Sequence, residues 1–139
     1  MEKFEHEFKD HLEIAAKGEK LKAETFHLPA PSNYVIGHVT VLDQEFSKAM
    51  LKIAEQEGAG AEEKENADVA ASEIILMMSA GGSNLSACYS AMEKIIIKQG
   101  KINSEYPVNK VIFDKMSYRD TKEILGGYIK DFLYSSLVD

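Results

Sequence analysis

Cysteine is nearly absent: Cys88 stands alone among 139 residues, so no disulfide can close within the chain and no paired-cysteine zinc spacing exists. A reducing, cytoplasmic compartment is the expectation that follows. Long apolar runs are missing as well. The strongest, residues 74–78 and 95–97, fall far short of the roughly 20 residues that a membrane-spanning helix needs. The acidic opening Met1-Glu2-Lys3-Phe4-Glu5 does not read as a secretory signal. Positive charge is in the minority, with 16 Lys and Arg against 23 Asp and Glu and a formal net charge of -7. A uniformly basic surface for gripping phosphates is therefore excluded, and with it nonspecific nucleic-acid binding. What is present is a 45% hydrophobic composition in a length that holds one domain, residues 1–139, with a single core.

Phe4, Phe8, Leu12 and Ala15 recur at helical spacing between residues 2 and 17, with Glu5, Glu7, Lys9, Asp10 and Glu13 on the other faces. This pattern predicts a short amphipathic helix within residues 1–22, ended by Gly18. With one narrow apolar stripe it must dock on the body or on a partner, and it is the element expected to be most mobile. Between residues 24 and 42 the composition shifts to Thr25, Phe26, Val35, Ile36, Val39, Thr40 and Val41 around Pro29-Ala30-Pro31-Ser32-Asn33. β-branched and aromatic residues on both sides of a Pro/Ser/Asn turn predict a two-stranded hairpin whose edge could serve self-association. Asp43 is then placed to cap a helix carrying Phe46, Met50, Ile53 and Ala54 to about Glu57.

Residues 58–66, Gly58-Ala59-Gly60-Ala61 followed by a Glu-rich run, read as a flexible connection. Residues 67–80 and 85–99 read as two apolar helices joined by Gly81-Gly82-Ser83-Asn84, where glycine permits a left-handed helix ending and Ser83 or Asn84 can cap the next helix. The first of the two is apolar on nearly all sides and is expected to be central; residues 95–97 fit either a helix end or a short strand. After Gly100, Asn103 and Pro107, residues 108–116 fit a short helix or an extended segment. Ser117 with Asp120 opens a last helix bearing Ile124, Leu125, Tyr128, Ile129, Phe132 and Leu133. Gly126-Gly127 inside it costs about 1 kcal/mol per glycine relative to alanine, so close approach of another backbone, or a kink, is expected there. The fold class is mainly α with a small β-hairpin near the N-terminus, an α+β domain.

Candidate chemistry is sparse. His27 and His38, facing each other across the expected hairpin, could hold a metal with Glu24, but no recognised ligand spacing accompanies them. His6 and His11 lie on different faces of the expected first helix. The Gly81-Gly82-Ser83-Asn84 turn could cradle an anion at a helix N-terminus, and Cys88 beyond it could be an activated nucleophile, though no histidine is near in sequence. A plain interhelical turn and a small buried side chain are the competing readings. Carboxylate pairs such as Asp114 with Asp120 are what an acidic chain supplies by chance. No metal, cofactor or catalytic residue is expected.

Two stretches carry a family resemblance. Glu24-Thr25-Phe26-His27-Leu28-Pro29, followed by Val39-Thr40-Val41-Leu42-Asp43-Gln44-Glu45-Phe46, is similar to the short β opening and first helix of the small tail assembly chaperones of tailed bacteriophages. Ser117-Tyr118-Arg119-Asp120-Thr121-Lys122-Glu123-Ile124-Leu125 with Asp131-Phe132-Leu133 resembles their closing helix. The likeness covers about half the chain at the level of pattern and includes no invariant motif. It implies a non-enzymatic protein of the host cytoplasm that binds an aggregation-prone helical client, the tape measure protein, or tail tube subunits, without nucleic acid, membrane or cofactor. The surfaces nominated for the client are Phe4, Phe8 and Leu12 together with Ile124, Leu125, Tyr128, Phe132 and Leu133, with a homo-oligomer a further possibility. The alternatives are a helical chaperone or adaptor for another client, or a small enzyme using residues 81–88.

Overall fold

Strands, rather than the expected helix, open the chain. In the computed structural model, which describes residues 3–57 and 69–134, β1 (Lys3–Glu7) buries Phe4 and His6 and turns Lys3, Glu5 and Glu7 outward. β2 (Glu13–Ala16) and β3 (Glu19–Lys22) follow as a tight antiparallel hairpin. Lys17 and Gly18 both have positive φ, 53° and 79°, the backbone of a two-residue turn whose twist suits a hairpin. The physical reason for the difference is an ambiguity of period. Phe4, Phe8 and Leu12 lie four apart, which fits a helix but also fits every second step of a strand, and Phe4, His6, Leu12 and Ile14 are all buried.

β4 (Thr25–Pro29) pairs antiparallel with β1, Phe4 opposite Leu28 and His6 opposite Phe26. Its other edge meets β5 (Lys101–Ile102), which pairs with β6 (Tyr106–Pro107), so the sheet order is β1-β4-β5-β6. The expected second strand after Pro31 is absent. A single 3-10 turn (Asn33–Val35) leads into the long helix α1 (Ile36–Glu57), because Val35, Val39, Leu42, Phe46 and Ala49 are spaced four and three apart and all bury. Burial of that stripe overrides the strand preference of its β-branched residues. Asp43 consequently sits inside α1 on an exposed face and caps nothing. The flexible connection expected at residues 58–66 lies outside the described residues.

α2 (Ala71–Ala80) packs against both α1 and the last helix of the fold (Tyr118–Ile129), burying Ile74, Ile75 and Met78 while Leu76 faces outward. α3 (Leu85–Gln99) spans the expected residues, with residues 95–97 helical, and the Asn84 side chain accepts the Ala87 N–H at 3.0 Å. α4 (Lys110–Lys115) is the short helix capped by Asn109. α5 (Tyr118–Ile129) opens on Ser117 and continues as a π-helical turn (Lys130–Tyr134). The two glycines explain themselves here: a Cβ on Gly126 would collide with the Ala71 carbonyl of α2, and one on Gly127 would lie 2.5 Å from the Phe4 ring. The fold is α+β, with the sheet near the N-terminus held on α5 through that close seam.

Candidate functional site

The densest polar junction is where β1 meets the first turn of α5. Strand alternation sends His6 inward beside Phe4, and the cap at Ser117 holds Asp120 at the helix start, its N–H donating to Ser117 Oγ at 3.0 Å. His6 Nε2 lies 2.8 Å from Asp120 Oδ1, with the two side chains 7% and 1% exposed. The chain leaving β1 then turns so that the Lys9 N–H donates to Oδ1 at 2.7 Å and the Asp10 N–H to Oδ2 at 3.1 Å. The Ser117 hydroxyl donates to Oδ2 at 3.0 Å. Burial by itself pushes the Asp120 carboxyl up, but the Lys9 N–H, the His6 ring, the Asp10 N–H and the Ser117 hydroxyl together outweigh it and hold the group below the usual carboxylate range. Arg119 clasps the same loop from outside, donating to Lys9 O at 3.0 Å and to both carboxylate oxygens of Asp10.

Glu123 lies one turn along α5, and its carboxylate, the His6 ring and Asp120 offer ligand atoms that all lie within 4.8 Å of one another. Glu123 Oε2 is buried and has no hydrogen-bond donor among the described residues. A histidine nitrogen beside two carboxylates suits a divalent cation. Nucleophilic catalysis suits it less, because the hydroxyl present, Ser117 Oγ, is bonded to the carboxylate and not to the imidazole that would have to take its proton. His6, Asp120 and Glu123 were not singled out together by the sequence. His6 and Asp120 are 114 positions apart, and no local motif links them; the alternation Phe4-Glu5-His6-Glu7 was the one available signal that His6 points inward.

The nominated sites fare differently. At the turn after α2, the Gly82 N–H is bonded to Ser79 O and the Ser83 N–H to Met78 O, while the Asn84 N–H donates to Glu45 Oε1 at 2.6 Å. The α3 N-terminus thus already holds an anion, the chain's own Glu45, whose carboxyl is held down by that N–H and by Lys48. Cys88 is buried, and burial, with the Glu45 charge, pushes its thiol up to about 11, opposite to what a nucleophile needs. His27 and His38 do not face each other: His27 sits on β4 opposite Glu5 and Lys101, and His38 is on α1.

The nominated client surface is also corrected. Phe4, Leu12, Ile124, Leu125, Tyr128 and Leu133 are buried in the core, and Phe8 and Phe132 are half-buried against it. These residues pack the sheet, α2 and α5 together because both sides of the seam are apolar, which leaves no open stripe for a client. Large apolar side chains do face outward elsewhere. On α1, Gln44, Ser47, Lys48, Leu51, Lys52 and Glu55 line one shallow, mainly apolar depression along a single helix face, and Leu51 within it is 67% exposed. Comparison with known protein families, characterised proteins and solved structures gives no match to this chain. Among the described residues, no helix is long and apolar enough to cross a membrane.

Proposed function

We propose that this protein is a non-enzymatic chaperone that shields an apolar helical segment of a protein client, in the manner that the resemblance to phage tail assembly chaperones implies, with a tape measure protein as the client. The observation that carries the reading is the outward face of α1. Leu51 is exposed in a shallow depression bordered by the stems of Lys48 and Lys52 and by Gln44, Ser47 and Glu55. An apolar centre with a polar rim along one helix is the shape into which an amphipathic helix lays its own apolar stripe. The enzyme alternative loses its nominated nucleophile, since Cys88 is buried and its thiol pushed up.

Co-expression with a tape measure fragment tests the reading. The wild-type chain is expected to keep the fragment soluble and co-purify with it, and Leu51→Glu is expected to abolish capture while circular dichroism stays unchanged, because Leu51 supports no core contact that a charge would break. A wild-type chain that leaves the fragment insoluble sinks the chaperone reading. Capture that survives Leu51→Glu removes α1 as the surface.

A further inference from the structure

We propose that His6, Asp120 and Glu123 form a binding site for a divalent cation of the zinc type, fastening β1 to α5. The three side chains come from two elements, one strand and two successive turns of one helix, and their ligand atoms already lie within 4.8 Å of one another. A tetrahedral zinc with bonds of roughly 2.0–2.2 Å holds its ligand atoms about 3.3 Å apart, so the site needs Glu123 to close in and His6 to back slightly away from its 2.8 Å contact with Asp120. The second observation is the state of Glu123. Its Oε2 is buried with no donor among the described residues, whereas each Asp120 oxygen has two. A buried carboxylate oxygen left unbonded is costly, and a bound ion is one of the few ways to satisfy it.

Charge and donor type select the ion. A neutral imidazole and two carboxylates balance a doubly charged cation, and a nitrogen ligand with only three protein groups favours zinc over calcium or magnesium, which prefer more oxygens. The cation takes the place of the hydrogen bond between His6 Nε2 and Asp120 Oδ1; the ligating ring carries its one proton at Nδ1, and any second ring proton is released to solvent. The N–H groups of Lys9 and Asp10 and the Ser117 hydroxyl keep their bonds to the Asp120 carboxylate and orient it as an outer shell does.

Calorimetric titration of the chelator-treated full chain with zinc chloride tests this. One equivalent is expected to bind, with the melting temperature rising by about 5 °C or more near 100-fold saturation. Glu123→Gln is expected to weaken binding at least tenfold, while His11→Ala, which removes the exposed His11–Glu13 pair, leaves it unchanged; calcium produces neither effect. Should Glu123→Gln fail to fold, nitrogen NMR of the wild type decides: zinc must shift the Nε2 resonance of the buried His6. No uptake, uptake untouched by Glu123→Gln, or a His6 ring unmoved by zinc overturns the site.

Discussion

Asp120 and Glu45 do the same thing in two places and differ in what surrounds them. Each is a carboxylate that accepts a backbone N–H from a segment far away in sequence, at 2.7 Å from Lys9 and 2.6 Å from Asn84. Asp120 is 1% exposed and adds the His6 ring, the Asp10 N–H and the Ser117 hydroxyl. Glu45 is 18% exposed and shares its carboxylate with the surface ammonium of Lys48. Water can replace a lost bond at Glu45 more readily than at Asp120, where the His6 ring is buried and the Lys9, Asp10 and Ser117 donors are part-buried. Equal hydrogen-bond lengths therefore carry unequal weight, since the cost of leaving a donor unpaired depends on burial.

The sharpest way to break this contrast is Asp120→Ala. Removing the carboxylate leaves the buried His6 ring and three part-buried donors without their acceptor and is expected to cost about 3–5 kcal/mol in urea unfolding of the metal-free protein; a loss near that of a surface ion pair would mean that water replaces the carboxylate. Gly126→Ala comes next, at about 1–3 kcal/mol. It asks whether close approach of α2 to α5, rather than the polar bonds, keeps the seam shut, and Gly127→Ala should cost less because the Phe4 ring can turn aside where the Ala71 carbonyl cannot.

Glu45→Gln is the smallest, expected within about 1 kcal/mol. Its sign with pH is defined: the folded-state pKa of Glu45 is lowered below the ordinary 4.5, so its contribution is present above that value and is lost as pH falls through the lower one. Wild type and Glu45→Gln should therefore converge in stability in acid. A gap that stays constant to low pH would show that the Asn84 contact does not depend on the charge.

Local signals reached the helices whose punctuation lies beside them. Ser117 was legible as a cap, Ser83 or Asn84 as the cap of a helix over residues 85–99, and Gly126-Gly127 as a place of close approach or a kink, because each is specified by neighbours within a turn or two; the structure chooses Asn84 and close approach. The N-terminal third was misread for two reasons. Phe4, Phe8 and Leu12 satisfy two periods at once, and the β-branched residues of 35–41 favour a strand until their burial against α3 and the rest of the core is known. Only the first third of α1, residues 36–42, was assigned to a hairpin; the outward face around Leu51 lies in the stretch that was read as a helix, and which side of it faces out is set by packing against the rest of the core.

Composition and spacing alone determined a small acidic α+β chain with a single cysteine, the Ser117 cap that opens its last helix, and a helix-weakening glycine pair inside that helix. Only the tertiary structure decided that the apolar residues nominated for a client are core, that Glu45 fills the α3 N-terminus, and that His6, Asp120 and Glu123 meet. Caps and turns are hydrogen bonds between near neighbours and leave their mark on adjacent letters. The His6–Asp120 junction joins positions 114 apart, and the burial of its two side chains, which strengthens the bond between them, exists only once the sheet has closed on α5.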